Sequence, residues 1–197
     1  MEVLLETDRL ILRRFTDADV DSLVALDADP RVMRYINGGP PTPRAEVVDD
    51  ILPRFLWYYD NFVPYGFWAC VEKGAGEFIG WFHLRPMPET GIQDEPELGY
   101  RLRRESWGKG YATEGSRALI EKAFRDFGAS RVFAETMAVN LGSRRVMDKA
   151  GLRLVREFHA DWPVQIPGDE HGDIEYAITR DEWERANPPP AGGPGGR

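Results

Sequence analysis

The chain is poor in the residues on which metal and redox chemistry depends, with one cysteine and three histidines among 197 residues. Cys70 alone excludes an internal disulfide and a multi-cysteine zinc site, and points to a reducing, cytoplasmic compartment. It stands in the apolar run Phe67, Trp68, Ala69, Cys70, Val71 and reads as a packed thiol. His83, His159 and His171 lack the i, i+4 spacing of a metalloprotease helix, so no metal is expected. No apolar run approaches the ~18 residues of a membrane span. Met1 to Arg14 mixes acids and arginines where a signal peptide needs an unbroken apolar stretch.

What is present is the balance of one globular domain, 42% hydrophobic and 29% charged, expected over residues 1–183. Residues 188–197 hold four prolines and four glycines and are expected to be a disordered tail. The net charge of −8 argues against nucleic acid or anionic membrane as a partner. Positive charge is nevertheless concentrated. Arg101 to Arg117 carries a net +3, from Arg101, Arg103, Arg104, Lys109 and Arg117 against Glu105 and Glu114. Asn140 to Lys149 adds +2, from Arg144, Arg145 and Lys149 against Asp148, which leaves −13 for the rest of the chain. An anionic ligand would be held by these two segments.

The patterning predicts a strand at Leu4 to Arg14, then a helix over Asp17 to Ala28 capped by Thr16 and ended by Asp29-Pro30. A turn at Gly38 to Pro43 precedes a helical stretch from Arg44 to Tyr59 that Pro53 must break or kink. Gly66 to Lys73 and Glu77 to Arg85 form a hairpin around Gly74-Ala75-Gly76. After the loop from Pro86 to Pro96 comes a fourth strand, Glu97 to Arg104, and then a long amphipathic helix, Tyr111 to Phe127, ended by Gly128. A strand at Arg131 to Met137, a helix at Leu141 to Ala150 closed by Gly151, and strands at Leu152 to Phe158 and Asp173 to Thr179 complete an α+β order around a mixed sheet.

The most informative segment is Trp107-Gly108-Lys109-Gly110-Tyr111-Ala112-Thr113-Glu114. It opens the long helix, where free N–H groups and the helix dipole favour phosphate, and its glycines admit a ligand to the backbone. It is not a nucleoside-triphosphate loop, because Gly110 stands where Ser or Thr is required after Gly-Lys. A dinucleotide fingerprint fails at Thr113. A second segment, Asn140 to Gly151, follows after one helix and one strand, and its ends also read as helix caps. These two segments, with Thr7-Asp8-Arg9-Leu10-Ile11-Leu12-Arg13 and Glu97-Leu98-Gly99-Tyr100-Arg101-Leu102, occur in an order that resembles the GNAT superfamily of acyl-CoA-dependent N-acetyltransferases. The likeness spans roughly residues 4 to 180 and is greatest to the branch of ribosomal-protein N-terminal acetyltransferases, the RimJ/RimL type.

The resemblance implies a mixed, mostly antiparallel sheet of six to seven strands flanked by about four helices, with acetyl-CoA as co-substrate and no metal. It implies that Leu102 and Arg103 pair with the pantetheine arm, and that Trp107, Gly108, Lys109, Gly110, Tyr111, Ala112 and Thr113 wrap the pyrophosphate. Trp107 replaces the Gln or Arg of the general family pattern, as it often does in this branch. Arg144 or Arg145 would meet the more distant phosphate, with Arg145 preferred, and Asn140 would contact the pantetheine amide. Where many relatives place a proton-donating tyrosine, this chain has Met147, so the resemblance shifts that role to Ser143. A backbone N–H near Leu102 or Arg103 would polarise the thioester carbonyl.

An alkyl amine is mostly protonated at neutral pH and needs a base. Glu97 at the start of the fourth strand is the first choice, with Glu135 and His159 (Asp161 nearby) as alternatives. Direct attack in a ternary complex is expected, on an amine that is a peptide N-terminus or a small cationic molecule. Two acidic loops, one with Glu89, Asp94 and Glu95, the other with Asp161, Trp162, Pro163, Pro167, Gly168, Asp169, Glu170 and Asp173, would attract it if they line the cleft. A homodimer is compatible with the sequence. The alternative function is an acyl-CoA-binding or sensing module without turnover, while an α+β nucleic-acid-binding domain is opposed by the remaining −13.

Overall fold

A computed structural model describes residues 2–87, 90–160 and 165–188. Most of the expected tail, together with Glu89, Asp161, Trp162 and Pro163, lies outside the described residues. Eight strands form one sheet in the order β1-β2-β3-β4-β5-β6-β8-β7. They are β1 (Val3–Glu6), β2 (Leu10–Arg14), β3 (Gly66–Glu72), β4 (Glu77–Arg85), β5 (Glu97–Leu102), β6 (Arg131–Met137), β7 (Arg153–Phe158) and β8 (Asp173–Thr179). All neighbours are antiparallel except β5 and β6.

The count exceeds the expected six to seven because Leu4 to Arg14 is a hairpin instead of one strand. Its turn is closed at Thr7, whose N–H donates to the Leu10 carbonyl at 2.9 Å and whose hydroxyl accepts from the Leu10 N–H at 2.9 Å. The strand counted fourth along the sequence is therefore β5, and it stops at Leu102, with Arg104–Ser106 a 3-10 turn.

Seven α-helical segments are present among the described residues: α1 (Val20–Asp27), α2 (Pro30–Met33), α3 (Arg44–Glu46), α4 (Leu52–Asn61), α5 (Tyr111–Arg125), α6 (Leu141–Ala150) and α7 (Arg180–Ala186). The expected Arg44 to Tyr59 helix is interrupted by a π-helical turn at Val47–Ile51. That wider turn precedes Pro53, which has no N–H to give and whose ring crowds the carbonyl four residues back. Asp29-Pro30, expected only as a stop, also starts α2, since proline suits a first helical turn and the Asp29 carboxylate accepts from the Arg31 N–H at 2.8 Å. The α7 helix was not anticipated. Its signal is the capping box Thr179 to Glu182, in which the Thr179 N–H donates to Glu182 at 2.9 Å.

Side-chain alternation divides the sheet into two unlike faces. One face buries Leu12, Phe82, Leu98, Val132 and Ile174 under α5 and α6. Cys70 is fully buried there, and burial pushes its thiol well above its ordinary value. A Cβ at Gly115 would lie 2.4 Å from the Phe82 ring, so α5 needs glycine where it crosses β4. On the opposite face α1 to α4 cover an apolar cluster that includes Phe55, Phe67 and Trp81 and draws on β3 and β4 only. The polar residues of β5, β6 and β8 remain on that face beside the cluster.

A buried ion pair helps to join the two parts of this face. Arg101 Nη1 lies 2.7 Å from both carboxylate oxygens of Asp27, whose side chain is 3% exposed, and the guanidinium stacks 5.1 Å over Trp81. Thr42 Oγ1 donates to the same carboxylate at 3.2 Å. Arg101→Met strands the buried carboxylate and is expected to lower the unfolding free energy by about 3 kcal/mol. Combining it with Asp27→Leu should recover most of that loss, which urea denaturation of the variants will measure.

Candidate active site

β5 and β6 are bridged at one residue pair, Glu97 with Phe133, although β5 continues to Leu102 and β6 to Met137. Backbone groups along a strand point alternately to its two sides. The Arg103 N–H donates to the Ile79 carbonyl at 2.8 Å, toward β4, so those of Tyr100 and Leu102 point toward β6. Beyond the bridge the edge of β5 therefore offers donors and acceptors to whatever enters between the strands. Arg103, expected to serve this edge, is instead spent on β4, and its guanidinium lies 5.5 Å over Phe78. The Leu102 carbonyl is itself occupied, by the Trp107 indole N–H at 2.8 Å.

The glycine segment follows at once. Gly108 and Gly110 adopt φ of 73° and 84°, conformations that favour glycine. Gly110 is the N-cap of α5 and has no side chain to cap it. The first helical bond runs from the Glu114 N–H to the Gly110 carbonyl at 3.0 Å. The N–H groups of Tyr111, Ala112 and Thr113 thus precede the helical ladder and converge with the helix dipole on the exposed Gly108-Lys109-Gly110 turn.

At the start of α6 the Asn140 side chain is the cap: Oδ1 accepts from the Ser143 N–H at 3.2 Å, while Nδ2 donates to Thr136 Oγ1 at 3.0 Å. One amide N–H of Asn140 is left for a ligand. Because Asn140 does the capping, the Ser143 hydroxyl is not used for it. It lies 2.9 Å from the hydroxyl of Tyr100, which also reaches the Ser143 carbonyl at 3.2 Å. Burial pushes the Tyr100 phenol up to about 12. Sequence reasoning missed Tyr100 as a partner of Ser143, since contact across 43 positions leaves no local signal. Arg144 donates to the Ala138 carbonyl at 3.1 Å, whereas Arg145 is exposed.

The polar face of β5, β6 and β8 carries the titratable groups. Glu97 Oε2 is 2.6 Å from Arg85 Nη2 and 3.5 Å from His83 Nε2. Burial raises the Glu97 carboxyl, but His83 and Arg85 outweigh it and hold it below the usual carboxylate range. Burial pulls the His83 imidazole below its ordinary value against the opposing effect of Glu97, and a Cβ at Gly99 would lie 2.5 Å from its ring. Neither His83 nor Arg85 was singled out from sequence. Glu175 is enclosed by Arg131 and by Arg156, the latter at 2.6 Å. Glu135 is different: its carboxylate lies 3.5 Å from Arg156, its side chain is 30% exposed, and its carboxyl is raised by burial and by the charges of Glu97, Glu175 and Asp173.

Two loops border this face. Gly38 approaches Ile166, where a Cβ would meet the side chain at 3.2 Å, and Gly168 lies against Val139 and Met137. The carboxylates of Asp169 and Glu170, expected to attract a cation, instead accept backbone N–H groups of Ile166 at 3.0 Å and Gly168 at 2.8 Å, shaping their own loop. His159 is exposed and packs beside Gly172 just past the end of β7. Among the described residues no group of three or more metal-ligating side chains is assembled, and no helix is long and apolar enough to cross a membrane.

Comparison with known proteins fits this geometry. The family model for the acetyltransferase (GNAT) domain matches residues 9–153. The chain is 36% identical over 190 residues to the FsC-acetyl coenzyme A-N(2)-transacetylase of Aspergillus fumigatus, covering 94% of this chain and 80% of that one. It shares its fold with the RimL ribosomal L7/L12 alpha-N-protein acetyltransferase solved with coenzyme A, at a TM-score of 0.76 and 17% identity over 92% of this chain and 99% of that one. A further fold match is the aminoglycoside acetyltransferase AAC(6')-Ib solved with coenzyme A, at a TM-score of 0.69 and 20% identity over 89% and 98% of the two chains. With its opened strand pair, its uncapped helix start and a family match over most of its length, the chain belongs to the GNAT acetyltransferases, enzymes that use acetyl-CoA.

Proposed function

We propose that the protein transfers the acetyl group of acetyl-CoA to a primary amine by direct attack in a ternary complex. The observation that carries this reading is the gap beyond the Glu97–Phe133 bridge, bordered by the N–H groups of Tyr100 and Leu102 on β5, the start of α5 and the partly exposed carboxylate of Glu135. The pyrophosphate would lie on Trp107 to Thr113, Arg145 would meet the outer phosphate, and the pantetheine would run along Tyr100 and Leu102. The relative from Aspergillus fumigatus is named for acetyl transfer to a nitrogen, N(2), which supports an amine acceptor here as well.

The reaction needs a base whose pKa lies near the working pH. Glu97, paired with Arg85, is a weak base and too enclosed to meet an ammonium group directly. Glu135 has the raised pKa and the exposure, so it takes the proton of the incoming amine, and Glu97 supplies a fixed negative charge beside it. The freed amine attacks the thioester carbonyl, whose oxygen is stabilised by a β5 N–H, that of Leu102 or Tyr100, and the nitrogen gives its second proton to water as the intermediate collapses. As the thiolate leaves, Ser143 Oγ hands it a proton that solvent replaces, and Tyr100 fixes the Ser143 hydroxyl from behind.

Release of free thiol from acetyl-CoA, measured against a panel of small amines and of peptides with neutral and basic N-termini, tests the activity and identifies the acceptor. Absence of turnover with retained coenzyme binding would favour a sensing module.

The base assignment gives a signed pH dependence. Glu135 must be ionised to act, so kcat/KM should fall as pH drops through a value above the ordinary 4.5 of a glutamate. Glu135→Gln should lower kcat by about 10²-fold and flatten that acid limb. Glu97→Gln removes a negative neighbour and should move the limb to lower pH while activity persists; loss of turnover in Glu97→Gln with a normal profile in Glu135→Gln would make Glu97 the base.

The leaving-group assignment is tested separately. Ser143→Ala should cut kcat by about 10²-fold with little change in the KM for acetyl-CoA. Tyr100→Phe, which removes only the supporting hydrogen bond, should cost about tenfold or less.

A further inference from the structure

The Thr7-Asp8-Arg9 turn between β1 and β2 has no part in the chemistry described above, yet its side chains reach more than a hundred residues along the chain to the glycine segment. Arg9 Nη1 donates to the Lys109 carbonyl at 2.9 Å. Its Nε donates to Glu114 Oε2 at 2.6 Å, and its backbone N–H to Glu114 Oε1 at 3.0 Å. Thr7 Oγ1 adds a third donor to the same carboxylate at 2.6 Å. The guanidinium lies 4.6 Å over the Tyr111 ring, and one of its nitrogens would be 3.4 Å from a Cβ at Gly110.

Two consequences follow from elementary geometry and charge. A trans peptide is planar, so a carbonyl held on one side directs the next N–H to the other. Arg9, by holding the Lys109 carbonyl, turns the Gly110 N–H away from itself and toward the open side of the loop. Glu114, meanwhile, sits in the first turn of α5 beside the place where phosphates would bind, and an unmatched carboxylate there would repel them. Thr7 and Arg9 engage both of its oxygens.

We propose that Arg9 is a positioning residue for acetyl-CoA, which forms the pyrophosphate loop in advance by orienting the Lys109–Gly110 peptide and matching the charge of Glu114. The proposal rests on the reading that places the coenzyme on this loop. It assigns to the β1–β2 turn a role in coenzyme affinity, with the acceptor and the chemical step untouched.

The test compares wild type, Arg9→Met, Arg9→Lys, Arg9→Met/Glu114→Gln and Gly110→Trp by steady-state kinetics and by calorimetric titration with coenzyme A, each well below its own Tm. Arg9→Met should raise the KM for acetyl-CoA and the Kd for coenzyme A about tenfold, which corresponds to about 1.4 kcal/mol. The kcat at saturating acetyl-CoA and the KM of the acceptor should stay within about twofold of wild type, a separation that a general loss of structure would not produce. Arg9→Lys keeps charge without the fork and should be intermediate. Adding Glu114→Gln to Arg9→Met should recover part of the affinity; if it recovers none, the charge half of the proposal is wrong. Wild-type coenzyme affinity in both Arg9 variants, or a fall in kcat with unchanged KM, overturns the proposal. Gly110→Trp separates the two levels: if it abolishes binding while Arg9→Met binds normally, only the role of Arg9 falls, and if it too binds normally, the coenzyme does not sit on this loop.

Discussion

The parallel contact between β5 and β6 ends almost as soon as it begins, and most of the site depends on that interruption. A continuous ladder would use every backbone group of β5 on one side or the other. Here β4 takes the groups facing it, the Trp107 indole takes the Leu102 carbonyl, and the N–H groups of Tyr100 and Leu102 face a gap. Unsatisfied backbone at the centre of a sheet is costly in the absence of water or a ligand, so the geometry that breaks the sheet leaves groups suited to pairing with an extended amide-bearing chain. The long helix α5 starts one short connection after β5 ends, which brings its uncapped first turn next along the chain from the gap.

Much of this was legible along the chain because it depends on local rules. The glycine segment, the hairpin around Gly74 to Gly76, the Pro53 interruption and the buried thiol of Cys70 each follow from backbone freedom or apolar patterning confined to a few residues. The hairpin at Thr7 to Arg9 was read as one strand because both arms are β-prone and the turn lacks glycine; the bond that closes it comes from a threonine side chain. Pairings set by topology were not legible. Tyr100 meets Ser143, Arg101 meets Asp27 and Arg85 meets Glu97 only once the strands are in register. A turn built from backbone groups is written in glycines and can be read along the chain, whereas a carboxylate's strength is set by neighbours that topology brings to it.

Charge illustrates the same distinction. The acidic surplus suggested a simple attraction for cations, but the carboxylates nearest the site are individually engaged: Glu97 by Arg85, Glu175 by two arginines, Asp169 and Glu170 by backbone amides. What distinguishes Glu135 is that it is crowded by other acids and less fully matched by a cation. Net charge counts these groups equally, whereas proton affinity is decided by desolvation and by near neighbours.

The hydrogen bond from the Trp107 indole to the Leu102 carbonyl ties the turn after β5 to the last residue of that strand. A turn rich in glycine would ordinarily move independently of the strand it follows, and a ligand seated on it would lose entropy there without informing the rest of the site. With the indole as a tether, immobilising the turn also restrains the end of β5, so in the proposed placement ordering at the phosphate end of the coenzyme would diminish the freedom left to lose at its thioester end. A single aromatic side chain would then make the two ends of one ligand thermodynamically cooperative.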